Sequence, residues 1–499
     1  MKIFSAKQLK DWDAFTIANE PVASVNLMER AATACAEWIY NNVETGCAPT
    51  NIFCGKGNNG GDGLCIARLL LQKQLKINVY ILSENTREGS KDFEHNLHLL
   101  HKISSSIYFI SSINSLQPIQ QGSIVIDALF GTGLNKPLQG LAASIVEHIN
   151  NSNATVVAVD LPSGMYADES SKGLVKIKAN YTLSIQQYKT CFLLPENEAY
   201  TGRLHILPIG LHPDFYNAES SHFYLTDLAF IKSIYKPLAS FSHKGNNGHA
   251  LLVAGSYGKM GAAVLAARAC LKAGVGLLTC KVPETAINIL QNSVPEAMAD
   301  TEPAIDFAKY NAIGVGPGIG NNEEANLQLS SIVTNCDAAC TLVLDADALN
   351  ILATHPHLLE LLQANSILTP HPKEFERLFG KSENDFERMK LAIKKASELN
   401  CFIILKGHFT FIATAAGTGY FNSTGNAGMA TGGSGDALTG ILTGLAAKGY
   451  SHLHTCLLGV FIHGLAGDIA ADNFSQEAML PSDLIDCIGA AYKKIIGEV

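Results

Sequence analysis

The chain has little charge and no concentration of one sign. Asp, Glu, Lys and Arg make up only 16% of its 499 residues, and the formal net charge is −9 at pH 7. No broad cationic face is available to a nucleic acid, which is excluded as a main partner. Cys-x-x-Cys is absent. The twelve cysteines are scattered, and the one close pair, Cys336 and Cys340, has no histidines beside it. Buried free thiols in a reducing compartment are therefore expected, not disulfides or zinc. Uncharged apolar runs of about 18 residues are missing, and the opening Met1–Asp11 meets charge too often for a secretory signal. A soluble, cytoplasmic chain with no membrane partner is expected. No repeat is visible at periods of roughly 20–50 residues.

What is present fits buried α/β units. Hydrophobic residues reach 47%, and the length exceeds one ordinary core, so two large domains are expected. The spacing of Val25, Leu27, Met28, Ala31, Ala32, Cys35 and Trp38 predicts a helix over Ser24–Tyr40. Strand-like runs follow at Asn51–Cys54, Ile77–Leu82, Ser123–Ile126, Thr155–Val159, Tyr181–Ile185 and Leu204–Pro208, with helical segments between most of them. Such alternation predicts a mainly parallel sheet covered on both faces. Periodicity fades between Leu211 and Gly248, where His212-Pro213 and Lys236-Pro237 stand. A linker is expected at 216–235, separating a domain 1–215 from a domain 236–499. The pattern restarts with strands at Ala250–Ala254, Leu277–Lys281, Ala312–Val315, Thr341–Leu344, Ser366–Leu368, Cys401–Leu405 and Thr410–Ala413. Buried helices are expected from Gly435 and Leu453.

Two glycine-rich loops carry the chemistry. Gly55-Lys56-Gly57-Asn58-Asn59-Gly60-Gly61-Asp62-Gly63 follows a strand and opens a helix expected at Leu64–Leu75. It lacks both the dinucleotide fingerprint and the Lys-Ser/Thr ending of a P-loop, so it reads as a phosphate-type loop of another design. Asp127 and Asp160 end hydrophobic strands, in Ile126-Asp127-Ala128-Leu129-Phe130-Gly131-Thr132-Gly133-Leu134 and Asp160-Leu161-Pro162-Ser163-Gly164. One strand-end Asp is usually a turn or helix cap. Three strand-end loops carrying Asn59, Asp127 and Asp160 with Ser163 point instead to one crevice at the carboxyl ends of parallel strands.

These motifs resemble the NAD(P)H-hydrate epimerase family over residues 1–215. The resemblance implies a Rossmann-like three-layer α/β/α domain that interconverts the R and S forms of nicotinamide cofactor hydrated at C6. It further implies that Asn58, Asn59, Gly60, Gly61 and Asp62 hold the hydrated cofactor together with Gly131, Thr132, Gly133, Leu134, Asn135, Lys136 and Pro137. Asn59, Asp127 and Ser163 match positions that coordinate potassium (K+), and Asp160 matches the substrate-contacting acid.

The second loop is Thr431-Gly432-Gly433-Ser434-Gly435-Asp436. A glycine run entering a helix offers several N–H groups and the positive helix end to a phosphoryl group. Asp436, just inside, is placed to take a proton from a substrate hydroxyl, which completes a phosphoryl-transfer kit. Other strand-end turns support it: Gly314-Val315-Gly316-Pro317-Gly318-Ile319-Gly320, Leu344-Asp345-Ala346-Asp347-Ala348-Leu349-Asn350, Thr369-Pro370-His371-Pro372-Lys373-Glu374 and Lys406-Gly407-His408-Phe409-Thr410.

From about Lys244 onward this set resembles the ribokinase-like fold, in the branch of ADP/ATP-dependent NAD(P)H-hydrate dehydratases. The resemblance implies a ribokinase-like α/β domain in which Ala262, Gly318, His371 and Asp436 contact the hydrated cofactor. Lys406, Gly407, His408, Phe409, Thr410 and Gly435 would hold ADP or ATP, with Mg2+ on the nucleotide. Ala427 and Ser434 stand where the family often has proline and threonine, and Ser434 keeps the hydroxyl. The expected protein is thus a two-activity repair enzyme, and a homo-oligomer. A small-molecule kinase with a non-catalytic N-terminal binding domain competes with it. His95, His98 and His101 share one face of a solvated helix, and Ser184–Lys189 reads as a structural edge of the first domain.

Overall fold

Ser5 and Gln8 close a reciprocal capping box that starts the helix Ala6–Asn19. From there, in a computed structural model that describes residues 1–44, 48–83, 88–337 and 339–497, the chain divides at Ser221 and His222 into two compact units. Cys47 lies outside the described residues. The described cysteines are all free.

The first unit is a wholly parallel sheet. Its strands lie in the order Ile107–Ile110, Ile77–Leu82, Thr50–Cys54, Ile124–Ala128, Thr155–Val159, Tyr181–Ile185 and Arg203–Leu207. The chain thus winds outward one way and then the other, and the reversal lies between Thr50–Cys54 and Ile124–Ala128. Ligand crevices form at the carboxyl ends of strands beside such a reversal. One face of the sheet is covered by helices Ser24–Asn42 and Asn58–Gln72, which pack Ala32, Cys35, Ile39, Leu64, Ile66 and Leu70 against Ile52, Val79 and Ile126. The other is covered by Gly140–Asn150 through Ala142, Ile145, Val146 and Ile149.

The second unit has strands in the order Phe223–Thr226, Gly419–Asn422, Phe411–Ala413, Phe402–Leu405, Ile367–Leu368, Thr341–Leu344, Ala312–Val315, His249–Val253, Leu277–Lys281 and Met298–Asp300. From Phe402–Leu405 through Met298–Asp300 the pairing is parallel, and a β-meander, Phe402–Leu405 to Gly419–Asn422, runs antiparallel. Here the order reverses between His249–Val253 and Ala312–Val315. Most expected strands agree with those observed to within two residues. The stretch 216–235 is not an unstructured linker: Phe223–Thr226 pairs in parallel with Gly419–Asn422, and Leu228–Ile234 is a helix capped by Asp227.

Helix Ser434–Ala447 is buried almost throughout and lies against Met260–Lys272. Helix His452–Phe474 is long and apolar enough to cross a membrane, yet 67% of its most apolar window is buried in the unit, as in a core helix. Close approach of the first pair depends on Gly440, where a Cβ would meet the Ala266 carbonyl oxygen at 2.1 Å. Gly440→Ala should therefore destabilise this unit by about 1–3 kcal/mol in chemical denaturation. Gly489→Ala, where a Cβ would meet nothing within 4 Å, should be neutral or stabilising by up to about 1 kcal/mol.

Candidate functional site

In the first unit, Asp127, next to last in the strand Ile124–Ala128, is fully buried. Its Oδ1 accepts from Ser163 Oγ at 2.6 Å and from Leu129 N–H at 3.2 Å, while Oδ2 accepts from Ser163 N–H at 2.7 Å. Burial pushes its carboxyl up to about 6, against the pull of those hydrogen bonds. Among the described residues no salt bridge reaches it. Asp160 follows the strand Thr155–Val159 with φ at 66°, an uncommon conformation for a residue with a side chain. Its Oδ1 accepts from Lys189 Nζ at 2.5 Å, and Lys189 also donates to Ser184 Oγ at 2.8 Å and the Ile185 carbonyl at 2.9 Å.

Gly131 brings the remaining pieces together. A Cβ there would stand 3.3 Å from Asn59 Oδ1 and 3.3 Å from Asp160 Oδ2. Ser163 Oγ also accepts from Phe130 N–H at 2.9 Å, so the Asp127–Ser163 pair lies one residue from Gly131. Asn59 Nδ2 is buried with no hydrogen-bond partner. Burial first, then the charges of Asp160, Asp13 and Asp92, hold the Asp62 carboxyl well above its ordinary value. Asn135, Lys136 and Pro137 lie exposed beyond the turn.

The glycine loop differs from expectation. The helix begins at Asn58, so Gly60, Gly61 and Gly63 are buried helical residues. A Cβ on Gly60 would meet the Gly55 carbonyl oxygen at 1.7 Å, and one on Gly63 would meet Ala128 Cβ at 2.6 Å. These glycines serve close packing of helix on strand. The loop between strand and helix shrinks to Gly55–Gly57.

In the second unit, the reversal point joins Gly255 N–H to the Pro317 carbonyl at 2.7 Å and Ser256 Oγ to the Gly318 carbonyl at 2.7 Å. Gly318, with φ at 66°, faces Ala262, whose Cβ would lie 3.1 Å from a Cβ on Gly318. Asp345, 1% exposed, accepts from Lys406 Nζ at 2.7 Å and from Thr439 Oγ1 at 2.8 Å. Lys406 also lies 3.7 Å from Glu374. Burial pulls the Lys406 ammonium down, but Asp345 and Glu374 outweigh it and leave it raised. His371 Nδ1 accepts from Lys373 and Glu374 N–H at 3.0 and 3.3 Å, capping the helix Pro372–Phe379. Asp347 accepts from Gly320 N–H at 2.8 Å and pairs with Lys259 at 3.2 Å.

Gly433, with φ at 102°, turns the chain into helix Ser434–Ala447 and places Asp436 in its first turn. Burial, then the charge of Asp345, pushes Asp436 up to about 6. A Cβ on Gly435 would stand 3.4 Å from Lys406 Nζ. The helix N-terminus at Gly435, Lys406, Asp345, Glu374 and Asp436 are thus neighbours. His408 is exposed, and the Thr410 hydroxyl closes its own turn onto the Gly407 carbonyl at 2.9 Å.

Residues 24–191 match the family described as YjeF-related protein N-terminus, and residues 250–489 match NAD(P)H-hydrate dehydratase. A bifunctional NAD(P)H-hydrate repair enzyme from Moorella thermoacetica is 34% identical, spanning 100% of this chain and 98% of its own. The chain belongs to the bifunctional NAD(P)H-hydrate repair enzyme family. Its counterpart from Coxiella burnetii is 32% identical over 97% of each chain. Among solved structures, a ribokinase-like superfamily protein from Enterococcus faecalis aligns with a TM-score of 0.50 at 27% identity, covering 56% of this chain and 98% of that one. The first unit's strand order and the second unit's neighbour make both α/β expectations, Rossmann-like and ribokinase-like, the observed folds.

Sequence reasoning missed what secures the acids. In the sequence Lys189 reads as part of a structural edge, yet it is the partner of Asp160. Asp345 was seen without a role, and Glu374 passed as part of a motif. Lys189 is 1% exposed, a placement lysine takes only when paired. Removing its charge would strand a mostly buried carboxylate. Lys189→Met should cost about 3–5 kcal/mol, and Lys189→Met with Asp160→Asn should recover most of it. Both tryptophans, Trp12 and Trp38, lie in the first unit, so their fluorescence during denaturation reads it selectively.

Proposed function

We infer that this chain repairs hydrated nicotinamide cofactor in two steps: R and S forms exchange in the first unit, and the S form is dehydrated in the second at the expense of ADP or ATP. The observation that carries the reading is Asp436, in the first turn of a glycine-led helix beside Lys406. Hydroxide leaves poorly. Asp436 takes the C6 hydroxyl proton as that oxygen attacks the terminal phosphorus of the nucleotide, forming a C–O–P linkage and releasing AMP from ADP, or ADP from ATP. The ring nitrogen lone pair then breaks the C6–O bond and expels phosphate, and loss of the C5 proton restores the ring double bond. Loop amides and Lys406 hold the phosphoryl charge, and Ala262, Gly318 and His371 line the side for the cofactor. The strand-end segment Lys406–Thr410 and Gly435 take the nucleotide. A magnesium ion arriving with it would neutralise phosphate charge.

For the exchange, Asp160 is the acid-base group. Lys189 pins Oδ1 and leaves Oδ2 turned to Gly131. The C6 hydroxyl gives its proton to Oδ2, which passes it to the ring nitrogen as the C6–N bond opens to an aldehyde; reclosure on the other face, with the proton returned through Oδ2, inverts the carbon. Asn59 Oδ1, Asp127 and Ser163 Oγ would hold a potassium ion: they offer oxygen donors only, and among the described residues no salt bridge reaches the buried Asp127. When bound, it would supply the positive charge Asp127 needs. Free cysteines in both units support a reducing compartment, the cytoplasm.

Purified protein given hydrated NADH, ADP or ATP, and magnesium should restore the near-ultraviolet absorbance of reduced nicotinamide. Asp436→Asn should lower kcat by about 10²–10⁴-fold. Because Asp436 works ionised, kcat/KM should rise with pH through about 6 and then level. Asp160→Ala should abolish R–S exchange and spare dehydration of the S form. Phosphorylation without recovered absorbance would point to a small-molecule kinase instead.

The potassium reading has its own test. A carboxyl whose folded pKa is raised contributes stability at low pH and loses that contribution as pH rises through about 6, the value for Asp127. Above it, the buried charge needs a counter-ion. Replacing choline by potassium at constant ionic strength should raise the tryptophan-monitored melting midpoint more at pH 8 than at pH 5. Asp127→Asn should erase the difference.

A further inference from the structure

Helix His452–Phe474 touches the phosphate loop through one narrow face, and no step above uses it. His463 Nε2 lies 2.9 Å from the Ser434 carbonyl oxygen and 3.3 Å from Ser434 Oγ. A carbonyl only accepts, so Nε2 carries the proton. Burial, first among the causes, lowers this imidazole to about 4, so it is neutral at working pH. Five residues on, about 7.5 Å along the axis, Asp468 accepts from Gly425 N–H at 3.0 Å and from Asn426 Nδ2 at 3.0 Å. Between them, Gly464 and Gly467 let the loop lie close: a Cβ would meet Thr424 Oγ1 or Met429 Sδ at 2.4 Å in either case. His463, Gly464, Gly467 and Asp468 fall on the same side of a helix of this pitch.

We propose that this face is a template for the phosphate-binding loop, with His463 as a positioning residue that sets Ser434 and, through it, the amide of Gly435 and the carboxylate of Asp436. Asp468 anchors the loop's far end. Neither side chain takes part in the chemistry. The inference rests on the nucleotide reading given above, since the loop has to receive phosphate for its placement to matter. Without the His463 hydrogen bond the loop loses its pre-set geometry and must be ordered by the ligand, a cost borne only by ligands that reach it.

The test uses the full chain and calorimetric dissociation constants for ATP and adenosine, alongside melting curves. His463→Ala should weaken ATP about tenfold and adenosine less than about twofold. His463→Gln, whose amide N–H reaches the Nε2 position, should return ATP affinity to within about threefold of the parent. His463→Asn, one methylene shorter, should resemble His463→Ala. If His463→Ala fails to fold, the Gln and Asn pair carries the comparison. Equal ATP affinity in Gln and Asn variants, equal losses for ATP and adenosine, or an unchanged His463→Ala would each overturn the proposal. Binding does not require turnover: a parent protein that binds ATP in this order of variants but never regenerates reduced cofactor would sink the repair reading alone.

Discussion

A carboxylate buried at the end of a parallel strand and tied to one lysine organises each unit. Asp160 is held by Lys189, and Asp345 by Lys406. Burying either charge alone would cost several kcal/mol, so each pair forms only when the fold brings its members together. The two pairs do different work. Lys189 occupies one oxygen of Asp160 and leaves the other turned toward Gly131. Asp345, filled by Lys406 and Thr439, fixes the lysine beside the helix Ser434–Ala447, and its charge helps raise Asp436.

The same geometry explains why both sites sit beside a reversal in strand order. There the loops after two neighbouring strands diverge, and the gap admits a ligand to the carboxyl ends. Asp160 and Ala346 adopt positive φ at those ends, at 66° and 48°. Such conformations cost about 1–3 kcal/mol, borne by well-packed sheets on either side. Glycine performs two separate jobs around them. Gly433 supplies the backbone turn into helix Ser434–Ala447, whereas Gly60, Gly63 and Gly440 leave room for another chain segment.

Much of the fold was legible. Hydrophobic runs of strand length, separated by helical periodicity, located most sheet strands. The exceptions are instructive. Ile107–Ile110 and Met298–Asp300 are short and partly exposed, and the four-residue Phe223–Thr226 is marked only by its pairing with the distant Gly419–Asn422. The first helix carried a readable signal, Ser5 with Gln8, that amphipathic spacing alone did not reveal. At the sites, Asn59, Asp127, Asp160, Ser163 and Asp436 were each visible as strand-end or helix-start residues beside glycine.

Local pattern decided the α/β class, the alternation of elements and the candidate acids, because each is a property of neighbours in the chain: hydrogen-bond period, apolar spacing and the backbone freedom of glycine. Partnership was settled in three dimensions. Lys189 lies 29 positions from Asp160, Lys406 61 from Asp345, and His463 29 from Ser434. No periodicity spans such separations; only strand order and helix packing make those atoms neighbours, and the low-dielectric interior then turns contact into function.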